Sequence, residues 1–397
     1  MSLEHAYIPH GAYWSTPFCR WQGSLAHENA IELAARTTRK ALGDRGISPE
    51  AFDGLSLGIT VPQRHSFYGA PWLAGMIGAP SLTGATVAQA CATSARLMAS
   101  AAVEVETGQR QCVLTVACDR VSNGPHIYYP NPQGIGGRGE TEEPVWESFQ
   151  HDPWARHAMI ETAENVARQE SISREEQDEV TFSRFQQYQE ALARDRAFQR
   201  RYMVAAEVSE GRKGTRLVET DEGIHPTTVE GLAKLRPVLE DGTVTFGSQT
   251  HPADGNAGLV VCGREKAAEL GRDAAITIRL LGFGTARVKK GYMPLAPVPA
   301  ARAALEQAGV ALGDCKVIKT HNPFAVNDIY FSRQTGIAPD ALNPYGSPLI
   351  FGHPQGPTGL RATIELIEAL VVAGGGYGLF TGCAAGDTAM SLVLRVD

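Results

Sequence analysis

The stretch "ATSARLMASAAVEVETGQRQCVLTVAC", residues 92–118, has a second version in the same chain. Sliding the sequence against itself by 265 positions lays it on "PTGLRATIELIEALVVAGGGYGLFTGC", residues 357–383. Identities are sparse, yet both stretches read as a helix, a Gly-containing turn, an apolar strand and a closing cysteine, Cys118 or Cys383. Two readings stand at this point: any two βαβ units look alike, or one α/β half has been duplicated. Either way the class is α/β, because the alternation continues outside the match. "ENAIELAARTTRKALGDRG" (28–46) has helical spacing and ends on Gly, and "GLSLGITV" (54–61) reads as a strand.

Between the two versions the character of the chain changes. From Ser122 to about Trp154, "SNGPHIYYPNPQGIGGRGETEEPVW" is rich in Gly, Pro and Asn and has no periodicity, so it reads as an excursion from the core. The following "TAENVARQESISREEQDEVTFSRFQQYQEALARD" reads as two helices, the second opening near Ser173 in a capping box, "SREE". Alternation is expected to resume with "DGTVTFGSQ" (241–249) and to run to the C-terminus.

Composition limits the function classes. At 397 residues the chain is long enough for two or three domains, and 43% apolar with 20% charged residues fits a globular protein with a full core. Net charge is −7 with Lys and Arg spread along the chain, which argues against an extended nucleic-acid footprint. The seven cysteines (19, 91, 112, 118, 262, 315, 383) form no C-x-x-C pair, so neither a disulfide framework nor a zinc ribbon is indicated and a reducing, cytoplasmic setting is expected. "MSLEHAYIPHGAYW" lacks a basic n-region and an apolar h-region, and no 18 apolar residues run together, so neither secretion nor membrane insertion is expected.

Four places could do chemistry. Cys91 stands just before the helix pattern, where free backbone N–H groups and the positive end of the helix dipole are expected to lower a thiol pKa; a buried, inert cysteine is the plainer alternative. His353 is framed by Gly352, Pro354 and Gly356, which hold a ring on a rigid turn at a helix entrance, as a base or oxyanion donor needs. A G-H-P turn by itself is often only a turn. Cys383 ends a strand and is followed by small residues, and "KVIKTHNPFAVNDIY" (316–330) ends a strand on His321 and Asn322. Two literal motifs are rejected. "GIGGRG" (134–139) satisfies G-x-G-x-x-G but follows "YYPNPQ" rather than a strand, and "GLSLG" (54–58) satisfies G-x-S-x-G with Ser56 inside a strand and no helix after it.

The ordered set of Cys91 in "QACATSAR", then "TAENVARQESISREEQDE", "LAKLRPVLEDGTVTFG", "HNPFA", "NPYGSPLIFGHPQGPTG" and a late Cys383 resembles the thiolase family along nearly the whole chain. The resemblance implies two duplicated βαβαβ halves in a layered α/β/α/β/α core with an inserted loop domain. It divides the chain into a first half (1–120 plus 244–270), an inserted domain that carries coenzyme A and oligomer contacts (121–243), and a second half (271–397). It further implies CoA-dependent thiolysis of a 3-oxoacyl-CoA, in acyl-CoA degradation of the β-oxidation kind, with CoA as co-substrate and no permanently bound cofactor or metal. Cys91 becomes acylated, His353 activates it, and Cys383 protonates the departing carbanion and then deprotonates CoA. Backbone N–H groups at Cys91 and near Ala385 are the donors expected for one oxyanion.

Departures from the family fall around the substrate. Where most thiolases read N-E-A-F, this chain reads His321-Asn322-Pro323-Phe324, so His321 replaces a water-holding Asn, as in sterol-carrier-type thiolases. "GSQTH" stands near the usual G-N-A-S-G, leaving Thr250 opposite a CoA-contacting serine, and "AAGDTA" follows Cys383. Asn322, Phe324, Thr250 and Ala385 are therefore candidate substrate or CoA contacts, and a branched, aromatic or carboxylated acyl group is expected. Biosynthetic Claisen condensation and a non-catalytic acyl-CoA-binding subunit are the rivals. The intact set of Cys91, His353 and Cys383 speaks against the latter. The family resemblance also implies a homodimer or homotetramer, and whether a small accessory protein subunit is a further partner is left open by the sequence.

Overall fold

The computed structural model describes residues 3–397, the side chain at 213 excepted. The first two residues of the stretch read as lacking a leader lie outside the described residues. Among the described residues, no helix is long and apolar enough to cross a membrane.

Two half-sheets with matching order form the core. In the first, the parallel strands Gly54–Gly58 and Cys112–Arg120 lie side by side, and Ala253–Cys262 runs antiparallel to the latter. In the second, Cys315–His321 and Gly376–Ala384 are parallel, and Thr388–Val396 runs antiparallel to Gly376–Ala384. The 265-residue shift places the helix Thr93–Glu106 on Thr358–Val372 and the strand Cys112–Arg120 on Gly376–Ala384 to within one residue. The duplication reading therefore holds, since order, direction and register repeat together. Where the second half turns directly from Ala384 to Thr388, the first half inserts everything between Arg120 and Ala253. The two-residue strand Tyr7–Ile8 pairs with both Ala253–Cys262 and Ile278–Arg287 and joins the halves into one 11-stranded sheet.

Helices supply the remaining layers. Thr358–Val372 is buried from Thr358 to Leu370, which an amphipathic surface helix could not be. It packs beside Thr93–Glu106 and against strands of both halves, so these two helices form the central layer. Ala30–Gly43, capped by Asn29, covers the outer face of the first half-sheet, and Pro297–Ala308 covers that of the second. The result is the layered α/β/α/β/α arrangement.

The inserted segment follows its sequence reading in most respects. Residues 122–154 contain only short elements: the strands Ile127–Tyr129 and Glu140–Glu142, a 3-10 turn at Ile135–Gly137 and the five-residue helix Trp146–Gln150. Met159–Glu170 and Arg174–Arg196 are the two helices, and Ser173 caps the second in a reciprocal box with Glu176. The expected strand at 241–249 is corrected: that stretch makes only isolated bridges, at Thr245 and Gln249, and the strand begins at Ala253. Its sequence, "ADGNAGLVVC", hides a strand because Gly258 stands where any Cβ would fall 2.2 Å from the Trp14 ring.

Candidate active site

The site is assembled where the second half-sheet's parallel strands end and the two central helices begin. His321 is the last residue of its strand and Cys383 the last but one of its neighbour, paired in register as His321 with Gly382. Gly382 has no side chain because a Cβ would lie 2.8 Å from that of His321. Such a crevice at the carboxyl ends of strands is where open α/β sheets bind ligands.

Cys91 reaches this point on a strained turn. Ala90 has φ +44°, in the left-handed region an alanine rarely adopts. Thr93 clamps the turn by donating its hydroxyl to the Ala90 carbonyl at 2.7 Å and accepting the Gln89 N–H at 2.8 Å. The Cys91 thiol, partly exposed, lies 3.1 Å from His353 Nε2 and 3.2 Å from Gln355 Oε1. His353 Nδ1 lies 2.6 Å from the Thr358 hydroxyl. With Nδ1–H donated there, the Nε2 lone pair faces the sulfur, as a general base requires. The turn carrying His353 is held from below: Asp119 accepts the Gly356 N–H at 2.8 Å, and the Ser94 hydroxyl donates to the Gly356 carbonyl.

One expectation is overturned here. The thiol of Cys91 is not lowered by the helix entrance: burial pushes it up to about 12, outweighing the N–H groups of Ala385 and of Cys91 itself, which act the other way. Burial also holds His353 well below the usual imidazole range, with the charge of His321 adding to the effect, and takes His321 down to about 3. Burial thus favours the neutral form of each partner, thiol and imidazole alike.

His321 stands beside this pair, its ring centroid 4.2 Å from that of His353. It is 1% exposed, and neither ring nitrogen has a hydrogen-bond partner. An unpartnered buried imidazole is costly, and it leaves a donor and an acceptor free for a ligand. Cys383 is fully enclosed among Phe324, Phe351 and neighbouring apolar side chains. Burial, then the nearby Cys91, pushes its thiol well above the ordinary range, while the Asn327 amide donates to Sγ at 3.3 Å and favours the thiolate. Two sulfurs and two imidazoles thus meet in one crevice, all but Cys91 of them buried.

The remaining candidates divide between the scaffold and the cluster. Asn322 is fully buried, with its amide donating to Asp328 at 2.6 Å and its oxygen accepting the Leu349 N–H, so its side chain belongs to the scaffold. Thr250 donates its hydroxyl to the Pro348 carbonyl and its N–H to Pro323. Phe324 is buried against the Cys383 side of the site, and Ala385 contributes its amide to Cys91. Beneath them lies a buried ionic lattice. Arg184 pairs with Asp328 at 2.9 Å, Arg361 forks onto Asp221 at 2.6 and 2.8 Å, and Lys319 meets Glu365 at 2.7 Å. Sequence reasoning missed Thr358, Gln355, Asn327 and Asp119. Only Thr358, a hydroxyl in "GPTG" at a helix entrance, and Asn327, the third residue after the helix entry at Phe324, carried any local signal.

Residues 12–265 match the family model "Thiolase, N-terminal domain", and residues 274–396 match "Thiolase, C-terminal domain". The chain is 32% identical over 383 residues to a beta-ketothiolase, BktB, of Cupriavidus necator, covering 94% of this chain and 95% of that protein. It is 30% identical over 395 residues to a beta-ketoadipyl-CoA thiolase of Pseudomonas knackmussii, covering 96% of each. Among solved structures, human mitochondrial 3-ketoacyl-CoA thiolase superposes with a TM-score of 0.91 at 26% identity, over all of both chains.

Proposed function

The chain belongs to the thiolase family of acyltransferases, and on that premise we propose that it cleaves a 3-oxoacyl-CoA with coenzyme A through an acyl group on Cys91. The observation that carries this reading is the 3.1 Å approach of Cys91 Sγ to His353 Nε2 within reach of a second buried thiol. As Sγ adds to the 3-oxo carbon, its proton passes to Nε2, and the Thr358 hydroxyl keeps the ring aligned. The C2–C3 bond then breaks, and Cys383 gives its proton to the carbanion that leaves as the shorter acyl-CoA. The Cys383 thiolate, favoured by Asn327, next takes the proton of incoming CoA, whose sulfur displaces the acyl group from Cys91. His321, with both nitrogens free, serves the oxyanion facing His353, and the N–H groups of Cys91 and Ala385 serve the other.

Thiolysis is favoured over decarboxylating condensation by the thiol at position 383, where the ketosynthase branch generally carries histidine. The histidine at 321 and the altered segments around Thr250 and Ala385 support an acyl group that is branched, aromatic or carboxylated. We divide the chain functionally into halves at 1–120 plus 244–270 and at 271–397, with 121–243 as the segment that receives CoA and makes oligomer contacts. All seven cysteines are free, in keeping with a reducing cytoplasm. The decisive experiment incubates the protein with acyl-CoA and measures intact mass. One acyl adduct is expected, absent in Cys91→Ala, and an adduct that persists in that variant overturns the assignment. A thiolysis screen over short, long, branched and aromatic 3-oxoacyl-CoAs then identifies the substrate.

A further inference from the structure

We propose that Cys91, His321 and His353 together form a zinc site that masks the nucleophile when no acyl group is bound. Their ligand atoms all lie within 4.8 Å of one another. Tetrahedral Zn²⁺ with Zn–S of about 2.3 Å and Zn–N of about 2.05 Å holds its ligand atoms roughly 3.4–3.6 Å apart. The sulfur and His353 Nε2 are already at 3.1 Å, so a shift on the order of 1 Å at His321 completes the set.

Three independent features point to a metal rather than to chance proximity. His321 is 1% exposed and presents two ring nitrogens without a partner, an arrangement a metal would relieve. His353 carries the oxygen partner at Nδ1, Thr358, that fixes the tautomer of metal-binding histidines and directs Nε2 outward. Two imidazoles and one thiol are the borderline-soft ligands that select zinc over magnesium or calcium.

The step balances without any redox partner. The Cys91 S–H bond breaks, its proton leaves to solvent, and the sulfur pair and two imidazole lone pairs enter the metal's coordination sphere, with a water in the fourth place. Metal binding and acylation need the same sulfur electrons and so exclude each other. Binding tightens as pH rises, because one proton is released.

Cobalt(II) is the spectroscopic probe for this site. Titrated into the full-length protein, it should give a thiolate-to-cobalt charge-transfer band with four-coordinate d–d bands, saturating at one metal per chain and displaced by Zn²⁺. Cys91→Ser and His321→Asn, each checked for folding by circular dichroism, should weaken binding by on the order of 10²-fold or more. Enzyme acylated beforehand should give no band. Failure of a charge-transfer band to appear with metal in excess, or unchanged affinity in either variant, overturns the site. Because the readout is a spectrum of the resting protein, its failure leaves the acyl-adduct test of the catalytic reading untouched.

Discussion

Replacing His321 by alanine should abolish most turnover while leaving the protein about as stable as before. The imidazole is enclosed and packed against His353, so truncation loses contacts, a loss of about 2–5 kcal/mol for side chains of this size. Its two nitrogens, however, are buried without partners, and removing them relieves about 1–3 kcal/mol each. At mid-range the loss is about 3.5 kcal/mol and the relief about 4 kcal/mol, so the two nearly cancel and the melting temperature should move by only a few degrees. Turnover has no such compensation. Loss of one oxyanion donor costs about 10²–10³ in kcat, or about 2.7–4 kcal/mol of transition-state stabilisation. His321→Asn, which restores an amide able to hold a water, should retain much of the activity. The assay is steady-state thiolysis beside calorimetric melting for both variants. A folded His321→Ala protein with wild-type turnover refutes the reasoning, and a large fall in melting temperature with turnover per folded molecule unchanged shows that the ring only packs.

Two further outcomes follow from the same geometry. Cys383→Ala should still accept an acyl group from a simple thioester yet lose C–C cleavage by roughly 10² or more; equal loss of both half-reactions would make Cys383 structural. Acid stability should reflect His321, whose pKa is held by burial at about 3 against 6.5 for a free imidazole. Above about pH 6.5 both folded and unfolded chains leave it neutral, while between that pH and about 3 only the unfolded chain takes the proton. Stability should therefore fall by about 1.4 kcal/mol per pH unit in that window from this residue, and urea unfolding of His321→Asn between pH 7 and 4.5 should show a correspondingly flatter decline.

Much of this was legible in the sequence because the informative signals were local. The turn at Cys91, the Ser173–Glu176 box and the 265-residue echo all depend on neighbours a few positions apart or on a repeated pattern. The strand Ala253–Cys262 was hidden because its buried positions hold Asp254, Asn256 and glycines shaped to Phe18 and Trp14, residues more than 230 positions away. The protonation state of Cys91 was misjudged for a related reason. A helix entrance is visible in sequence, but the desolvation that outweighs it comes from the packed surroundings. Likewise Asp119, Gln355 and Asn327 acquire meaning only when the strand ends and the 353–358 turn converge, and the ion pairs under the site join positions as remote as Asp221 and Arg361.

The strand Tyr7–Ile8 has a consequence for the order in which the chain matures. Tyr7 pairs with Cys262 and with Arg279, so during synthesis it waits for more than 250 further residues before either partner exists. Until then the first half-sheet lacks Ala253–Cys262 and the second does not exist, and each later presents an open backbone edge at the seam. Such distant pairing is slow, since loop closure precedes any gain from contact. The seam is therefore the interval in biosynthesis when this protein is most exposed to edge-to-edge misassociation and to chaperone capture, and its closure marks the commitment of two independently collapsed halves to a single molecule.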